Sequence, residues 1–210
     1  LGLAPDAVVR DASSGDGDGY GIGMGHFIHA MRRNIDMTYL VHNNNVYGLT
    51  KGQTTPTSQK GYVSSSTPFG AIEEPLNPIA LALTMGASFV ARGYAGDVQH
   101  LTKLIEQAIY HKGFAIIDIL QPCVTFNKIN TYVHYLKNTY KLENEPNYNP
   151  SDYKMAYEKS LETERLPIGL FYKAEKPTYE EQEPGLTNQT NVTTQPLTNI
   201  DLTPMVKKYL

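Results

Sequence analysis

Residues 15–53 read GDGDGYGIGMGHFIHAMRRNIDMTYLVHNNNVYGLTKGQ, and this stretch decides the fold class. It begins with a glycine-rich turn that carries two carboxylates, and three consecutive asparagines lie near its end. Between them, apolar residues spaced at i, i+3, i+4 and i+7 predict a helix that starts at Met24 and ends near Arg33. Residues 37–41 form an apolar run too short for a helix, which predicts a buried strand. This order indicates a βαβ unit, and therefore a parallel sheet covered by helices.

The alternation of helices and strands continues to about residue 120. Asp97 is a good N-cap for one of the later helices. A weaker strand is predicted over residues 7–9, before the glycine turn. Residues 50–76 are rich in Thr, Ser, Gly and Pro, and such a long irregular loop is often functional. The elements predicted after this loop are a helix over residues 79–85, a strand over 88–92, a helix over 98–111 and a strand over 114–120.

The composition changes after residue 127, which suggests a division of the chain. A helix over residues 152–163 and a strand over 168–172 are predicted beyond that point. The last part is rich in Thr, Asn, Gln, Glu and Pro, so we expect it to be largely disordered. Because the chain begins at Leu1 without a methionine, we expect the first part to be incomplete at its N-terminus. The expected parts are an α/β domain over residues 1–127, a small C-terminal extension over 128–175, and a polar tail over 176–210.

The overall composition is ordinary for a soluble globular protein of 210 residues. The net charge of -3 gives no reason to expect nucleic acid or an anionic membrane as a partner. No apolar run is long enough to span a membrane, and the start does not resemble a signal peptide. The single cysteine cannot form an internal disulfide, which fits a reducing compartment. We therefore expect a cytoplasmic protein.

The two polar ends of the opening stretch suggest a phosphate and metal site. Backbone can approach a ligand closely at glycines, and the amides at a helix start favour anions. Asp16 beside such an anion would be repulsive unless a divalent cation lay between them, and Mg²⁺ takes carboxylate, amide, carbonyl and phosphate oxygens. Asn44 lies one helix and one strand beyond Asp16, so in a parallel sheet both turns open at the same edge.

A simpler interpretation of the same residues remains open. The GDGDG segment could be a solvated turn, and the asparagine run could enter a hairpin at Tyr47 and Gly48. Neither common nucleotide motif applies, because no acidic residue ends the second strand and no lysine of the P-loop kind is present.

Longer strings carry a resemblance to a known family. The GDG turn followed by an Asn-rich turn looks like the thiamine diphosphate motif. GDGDGYGIGMGHFIHAMRRNID with NNNVYGLTKGQTTPTS, QPCVTFN and LPIGLFY…KPTYE are similar to the beta subunit of the 2-oxoacid:ferredoxin oxidoreductases. The match runs from about residue 15 to residue 180. The resemblance implies the thiamine diphosphate-binding fold.

The resemblance also implies a role for each matching residue. Ligands to Mg²⁺ would be Asp16, the side chain of Asn44 and the carbonyl of Val46. The diphosphate would be lined by Gly15, Gly17 and Asp18. Residues near the rest of the cofactor would be Asn45, Leu49 and Thr50.

Basic and sulfur-bearing side chains form a second group of candidates. Among the histidines, His26 on the helix is the one most suited to approach the cofactor, whereas His29 and His42 are expected in core or surface roles. Lys51 would meet a phosphate or the substrate carboxylate, with a solvated loop lysine as the alternative. In the family, Cys123 resembles the last ligand of a 4Fe-4S cluster whose other ligands lie upstream. Such a cluster normally takes four thiolates, so this chain as given cannot hold one.

The activity implied by the resemblance is oxidative decarboxylation. The family joins a 2-oxoacid, coenzyme A and oxidised ferredoxin to give acyl-CoA, carbon dioxide and reduced ferredoxin. An alpha subunit supplies part of the site, so the isolated chain is expected to be inactive. Alternatives are a non-oxidative thiamine diphosphate decarboxylase or synthase, and a non-catalytic diphosphate-binding remnant. Pyruvate, 2-oxoglutarate and branched-chain or aryl oxoacids all remain open as substrates.

Overall fold

Six strands form the main sheet of the protein, and two further strands form a separate hairpin. The computed structural model describes residues 10–187 and 201–209. The strands are β1 (Asp11–Gly15), β2 (Met37–Asn43), β3 (Val46–Tyr47), β4 (Gln53–Thr54), β5 (Phe89–Tyr94), β6 (Phe114–Leu120), β7 (Thr139–Lys141) and β8 (Leu166–Lys173). Their order across the main sheet is β1-β2-β6-β5-β8-β7, and β3 pairs with β4.

The first four strands of this order are parallel neighbours, as a βαβ unit requires. The edge formed by β8 and β7 runs the other way, because β8 pairs antiparallel with β5 and β7 pairs parallel with β8. The prediction of an α/β fold with a mostly parallel sheet is therefore confirmed. The predicted C-terminal extension contributes both of these edge strands to the main sheet.

Helices cover the sheet and begin at residues suited to that position. Asp97 accepts a hydrogen bond from the His100 N–H (3.1 Å), as predicted for an N-cap, and Asn77 accepts one from the Ala80 N–H (3.1 Å). None of the described helices is both long and apolar enough to cross a membrane. The helices are α1 (Met24–Arg33), α2 (Pro78–Thr84), α3 (Val98–Ile109), α4 (Tyr132–Asn138), α5 (Tyr153–Ser160), α6 (Tyr179–Gln182), α7 (Pro184–Thr187) and α8 (Thr203–Lys207).

The structure corrects several predicted elements. The strand before the glycine turn is β1, whose alternately exposed and half-buried edge position tolerates the polar residues that obscured it. Residues 7–9 lie outside the described residues. A π-helical turn, Asp18–Ile22, precedes α1, and α4 and β7 lie within residues 128–150, which are rich in Tyr and Asn and for which no element was predicted. The other predicted helices and strands are present with ends that differ by a few residues.

The chain after the last strand has more helix than its composition predicted. The described residues up to Tyr179 form one compact unit, and those from Glu180 onward form a second one. α6, α7 and α8 lie in the tail that we expected to be largely disordered. Short helices need only local backbone hydrogen bonds, such as the one from the Val206 N–H to the Leu202 carbonyl (3.1 Å), and a polar composition does not prevent these. The remaining tail residues lie outside the described part.

The two faces of the sheet carry two apolar clusters. Strands β5 and β6 are buried along their whole length, so their side chains alternate between the clusters. One cluster contains Phe27 and Met31 of α1 and Ile79 of α2, and the other contains Leu104 and Ala108 of α3. The helices therefore cover both faces, which leaves the carboxyl edge of the parallel strands for a site.

A single asparagine joins the end of α1 to three other parts of the fold. Asn34 has a left-handed backbone (φ 50°) and caps α1. Its Oδ1 accepts hydrogen bonds from the Ser88 hydroxyl (2.6 Å) and the Phe114 N–H (2.9 Å). Its Nδ2 donates to the carbonyls of Lys176 (3.2 Å) and Pro177 (3.1 Å). This side chain thus links the helix, the sheet and the segment after β8.

We expect Asn34→Ala to lower the free energy of unfolding by ~2–4 kcal/mol. The variant leaves buried polar groups unpaired and places alanine in a left-handed conformation. Asn147→Ala is the matched control, because Asn147 also has a positive φ (63°) but an exposed side chain, and only the backbone cost of ~1 kcal/mol is expected there. Urea denaturation measures both. Equal losses would show that the contacts of Asn34 contribute nothing.

Candidate functional site

The carboxyl ends of β1 and β2 bring the two polar ends of the opening stretch together. Gly15 and His42 are partners at the end of the parallel pair, so Asp16 and the asparagine run leave the sheet side by side. The backbone N–H of Asn44 points to Asp16 Oδ1 at 3.4 Å. The predicted meeting of these two turns at one sheet edge is present in the structure.

Asp16 is a buried carboxylate held by hydroxyl groups. Only 1% of Asp16 is exposed. Its Oδ2 accepts hydrogen bonds from Thr55 Oγ1 (2.6 Å) and Thr57 Oγ1 (2.6 Å). Burial raises the pKa of the Asp16 carboxyl above its ordinary value, and the hydrogen bonds that lower the pKa do not offset this. An uncompensated carboxylate in this position is suited to a cation, because a nearby positive charge stabilises the ionised form.

The three asparagines have three different environments. Asn44 is half-buried, and its Oδ1 accepts the Val46 N–H (3.0 Å). Asn45 is buried with a left-handed backbone (φ 61°), and its amide donates to Thr57 Oγ1 (3.1 Å) and the Thr57 carbonyl (2.9 Å). The Oδ1 of Asn45 accepts hydrogen bonds from Asn130 and Tyr135, which lie near or in α4. Asn45 therefore braces the turn from inside, whereas Asn44 lies closer to the surface.

The glycines of the turn are required for more than one reason. A side chain at Gly17 would collide with the ring of Tyr47, whose hydroxyl also donates to the Gly17 carbonyl (2.8 Å). A side chain at Gly15 would meet nothing within 4 Å. At Gly15, therefore, no protein atom occupies the space that a side chain would take, and a ligand can approach the backbone closely, as the sequence suggested for all these glycines. At Gly17 the packing of Tyr47 already excludes a side chain.

The two simpler interpretations of these segments have different outcomes. Strands β3 and β4 do form a short antiparallel hairpin through Tyr47, as the alternative proposed for the asparagine run. The GDGDG segment is not a solvated turn, because Asp16, Gly17 and Gly19 are all buried. Only Asp18 and the first glycine of this segment are exposed.

The other predicted site residues are exposed at the surface. Asp18 and His26 line a cavity of about 200 Å³ together with aromatic and apolar residues of α1, β2 and β6. Leu49 is 99% exposed, and Thr50 and Lys51 are also exposed in the turn between β3 and β4. No contact joins His26 or Lys51 to Asp16 among the hydrogen bonds of the described residues. Their catalytic roles stay predictions.

Two further histidines were expected in the core or at the surface. His29 is exposed on α1. His42 is half-buried at the end of β2, where its ring nitrogens contact Gln121 Oε1 (2.5 Å) and Ser13 Oγ (2.9 Å). His42 therefore connects β1 and β2 to the residue that follows β6.

A buried charged pair that we did not predict lies behind the asparagine run. Asp118 of β6 is 1% exposed, and its Oδ2 accepts a hydrogen bond from Arg92 Nε of β5 (3.3 Å). Its Oδ1 accepts hydrogen bonds from the Tyr20 hydroxyl (3.1 Å) and Asn43 Nδ2 (3.0 Å). The oxygen of Asn43 in turn lies 3.0 Å from Thr57 Oγ1, the hydroxyl that donates to Asp16. A continuous network of polar contacts thus runs from Asp118 to Asp16.

The only available signal for this network was an acidic residue inside an apolar strand. The segment FAIIDIL places Asp118 among residues that are all buried, and a buried carboxylate needs a partner. The threonines of QTTPTS carried no periodic signal. These residues belong to a string that resembles the family, but the resemblance gives them no role.

Cys123 lies in a loop that packs against Val46. Its thiol is a partly buried free cysteine, and the Phe126 N–H donates to Sγ (3.4 Å). Burial raises the pKa of the Cys123 thiol, but backbone N–H groups of residues 125–127 and the charge of Lys128 outweigh this and lower it overall. This environment suits a thiolate. One thiolate is a quarter of the set that a 4Fe-4S cluster normally uses, so the residues of this chain do not by themselves fit the cluster.

The oxygen donors at the sheet edge fit a hard divalent cation. Asp16 Oδ1 has only one long contact, and Asn44 Oδ1 accepts one backbone hydrogen bond, so both have lone pairs that no described group occupies fully. Carboxylate, amide and carbonyl oxygens are the donors that Mg²⁺ prefers. Within residues 10–187 and 201–209, no group of three or more His, Cys, Asp or Glu side chains is placed to hold a metal. A site here would therefore combine one carboxylate with neutral oxygens.

Comparisons with known families agree with this geometry. Residues 3–119 match the family described as "Thiamine pyrophosphate enzyme, C-terminal TPP binding domain". Residues 123–188 match the family that comprises the C-terminal part of the beta subunit of pyruvate ferredoxin oxidoreductase. The glycine turn and the asparagine run fall in the first match, and Cys123 begins the second.

Individual relatives and a solved structure point the same way. A "2-oxoacid:ferredoxin oxidoreductase subunit beta" of Sulfolobus sp is 51% identical over 189 residues, which cover 85% of this chain and 62% of the relative. The "2-oxoglutarate oxidoreductase subunit KorB" of Mycobacterium tuberculosis is 50% identical over 127 residues, which cover 60% of this chain and 34% of the relative. A solved 2-oxoglutarate:ferredoxin oxidoreductase from Magnetococcus marinus, with 2-oxoglutarate, coenzyme A and succinyl-CoA bound, superposes with a TM-score of 0.82 at 35% identity. That match covers 93% of this chain and 66% of the other. The chain thus spans less than two thirds of the length of the Sulfolobus relative.

Proposed function

Because this chain belongs to the thiamine pyrophosphate enzymes, and among them to the 2-oxoacid:ferredoxin oxidoreductase beta subunits, we propose that its sheet edge binds thiamine diphosphate through Mg²⁺. The observation that carries this proposal is the buried, hydroxyl-bound carboxylate of Asp16 beside the asparagine turn. Its ionised form needs a cation, and the open backbone at Gly15 leaves room for a diphosphate.

The residues of the chain have distinct tasks in this proposal. Asp16, Asn44 and the Val46 carbonyl would hold Mg²⁺, and Gly15, Gly17 and Asp18 would lie along the diphosphate. Asn45 would support the turn from beneath through its contacts with Thr57. Leu49 and Thr50 are exposed and available to the rest of the cofactor. When bound, thiamine diphosphate supplies the carbanion that attacks the keto carbon of a 2-oxoacid.

For the whole enzyme we propose oxidative decarboxylation of a 2-oxoacid, with coenzyme A and ferredoxin as co-substrates. The named relatives are oxidoreductase subunits, so the non-oxidative decarboxylase and the non-catalytic remnant are not favoured. A 2-oxoacid is the substrate class, and 2-oxoglutarate is supported by the names of two matching proteins. An alpha subunit is the proposed partner, and a cytoplasmic location fits the single free cysteine.

Cys123 is the residue of this chain that we propose for an iron–sulfur cluster in a longer subunit. The backbone N–H groups around its sulfur favour a thiolate. The remaining ligands of such a cluster are not among these 210 residues, since the sequence has one cysteine. We therefore assign no step of the reaction to a cluster held by this chain.

Calorimetric titration of the 210-residue chain with thiamine diphosphate tests the proposed site. We expect binding in the presence of Mg²⁺, and its loss when the metal is chelated. Asp16→Ala should weaken binding by at least about tenfold, because a removed charged contact is worth ~1.5–3 kcal/mol. Asp11→Ala, which removes an exposed carboxylate from β1, the strand that leads to Asp16, is the control and should leave binding unchanged. Unchanged binding in Asp16→Ala would refute the assignment of the site.

A further inference from the structure

The two oxygens of the Asp16 carboxylate are in unequal environments. Oδ2 accepts two short hydrogen bonds, from Thr55 Oγ1 and Thr57 Oγ1, both at 2.6 Å. Oδ1 has a single long contact with the Asn44 N–H at 3.4 Å, which is beyond the usual range for a strong hydrogen bond. One oxygen is therefore occupied by the protein, and the other remains available.

The hydroxyl of Thr57 is directed toward the carboxylate by its own neighbours. The amide of Asn45 donates to Thr57 Oγ1 (3.1 Å), so this oxygen accepts one hydrogen bond and must place its proton elsewhere. The available acceptors are Asp16 Oδ2 and the Asn43 oxygen (3.0 Å). The Asn43 oxygen is the more distant of the two, and the charged carboxylate is the stronger acceptor.

The backbone of Thr55 is also held in place by hydrogen bonds. The Thr55 N–H donates to Ser58 Oγ (2.8 Å), and the Ser58 hydroxyl donates to the Asn45 carbonyl (2.6 Å). Thr55, Thr57 and Ser58 are all buried, so solvent does not compete for these groups. The loop after β4 therefore holds one side of the carboxylate through buried hydrogen bonds.

We propose that Thr55 and Thr57 are positioning residues that occupy Asp16 Oδ2, so that Asp16 offers a divalent cation one oxygen and the site prefers Mg²⁺ to Ca²⁺. This inference rests on the proposed metal and diphosphate site. Mg²⁺ requires a near-octahedral shell with short distances, whereas Ca²⁺ takes more oxygens and accepts bidentate carboxylates. A carboxylate with one oxygen already occupied can bind a metal only through its other oxygen, which suits the Mg²⁺ shell and not bidentate binding of Ca²⁺. Without the hydroxyls, both oxygens would be free for the larger ion.

The test is the ratio of the Mg²⁺ and Ca²⁺ concentrations that half-saturate thiamine diphosphate binding to the 210-residue chain, measured by calorimetry. In the double variant Thr55→Val and Thr57→Val, we expect the Mg²⁺ concentration to rise about tenfold, as for the loss of ~1.4 kcal/mol, and the Ca²⁺ concentration to rise much less. The serine pair at the same positions keeps both hydroxyls and should restore the original ratio. Thr54→Val makes the same chemical change at the neighbouring residue, whose hydroxyl does not bond Asp16, and should have no effect on the ratio.

The outcomes separate this inference from the proposed function. Binding with an unchanged ratio of Mg²⁺ to Ca²⁺ in the valine variant would overturn the role of the threonines and leave the thiamine diphosphate site standing. Absence of binding by the unsubstituted chain would overturn both. If the double variant does not fold, as judged by circular dichroism, the single valine variants decide by the same ratio. A general loss of packing would weaken the binding of both metals equally and would leave the ratio unchanged.

Discussion

Replacing Asp118 by alanine is expected to lower the free energy of unfolding by ~3–5 kcal/mol, the typical cost of breaking a buried ion pair. For a chain of this size, such a loss lowers the melting temperature by about 10 °C. The side chains of Asp118 and Arg92 are 1% and 7% exposed, so water cannot replace the lost partner. The guanidinium would keep only its contact with the Pro167 carbonyl (3.4 Å) and its position over the Phe171 ring.

Two more groups lose their acceptor in this variant. The Tyr20 hydroxyl and the Asn43 amide both donate to Asp118 Oδ1. Tyr20 is buried in the apolar cluster beneath α1, and an unpaired buried donor there costs ~1–3 kcal/mol. The effect on stability should therefore lie at the upper end of the range.

Urea denaturation with a surface pair as reference measures this effect. Glu158→Ala removes a partner of Lys154 in an exposed i,i+4 pair on α5, where ~0.5 kcal/mol or less is expected. The combined change of Arg92→Met and Asp118→Leu removes both charges and should recover at least about half of the loss, because the desolvation cost disappears with them. If Asp118→Ala costs no more than Glu158→Ala, the buried pair does not stabilise the fold.

Asp16→Asn is expected to have the opposite effect on stability while it abolishes metal-dependent binding. Burial raises the pKa of Asp16, so the folded state holds the ionised form less favourably than the unfolded state does. Asparagine has nearly the same shape, keeps an oxygen for the hydroxyls of Thr55 and Thr57, and carries no charge. Without ligand, we expect a gain in the free energy of unfolding near neutral pH and a higher melting temperature.

The stability effect of Asp16→Asn depends on pH. A raised pKa means that the contribution of Asp16 to stability is fully present below its unfolded pKa and is lost as the pH rises through its folded pKa. The gain from Asp16→Asn should therefore appear at neutral pH and disappear in acid, below the ordinary value of 3.8. Thermal unfolding of both proteins across this range, without metal or cofactor, measures it.

Asp97 is a control carboxylate whose pKa is shifted in the opposite direction. A hydrogen bond from Lys141, together with the N-cap bond from His100, lowers the pKa of Asp97. Its contribution to stability is present above its unfolded pKa and is lost as the pH falls through its folded pKa. Asp97→Asn should therefore destabilise the chain at neutral pH. If both variants shift the melting temperature in the same direction, burial does not govern the stability effect of Asp16.

Stability and binding thus conflict at the centre of the site. The buried charge of Asp16 is expected to lower the stability of the ligand-free protein, and the cation that we propose would compensate this cost. Functional carboxylates commonly have shifted pKa values for this reason. The Asp16→Asn protein would separate the two effects in one chain.

Periodicity, caps and turn residues predict most of the fold. The spacing of Phe27 and Met31 specifies the buried face of α1, and Asp97 caps α3 as its position predicts. These signals are local, since they depend on residues within a few positions of one another. The sequence also predicts that Asp16 and Asn44 lie close together, because the turns after neighbouring parallel strands lie at the same edge of the sheet.

The tertiary structure alone decided what holds that site together. Thr55 and Thr57 lie 39 and 41 residues from Asp16 in the sequence, and Asp118 lies 75 residues from Asn43 and 98 from Tyr20. Hydropathy identifies the face on which a side chain lies, but hydrogen-bond partners depend on which elements the fold brings into contact. The sequence by itself therefore determined the sheet, the helices and the carboxylate of the site. Only the folded chain decided which oxygen of that carboxylate is occupied by hydroxyl groups and which remains available for the metal that we propose.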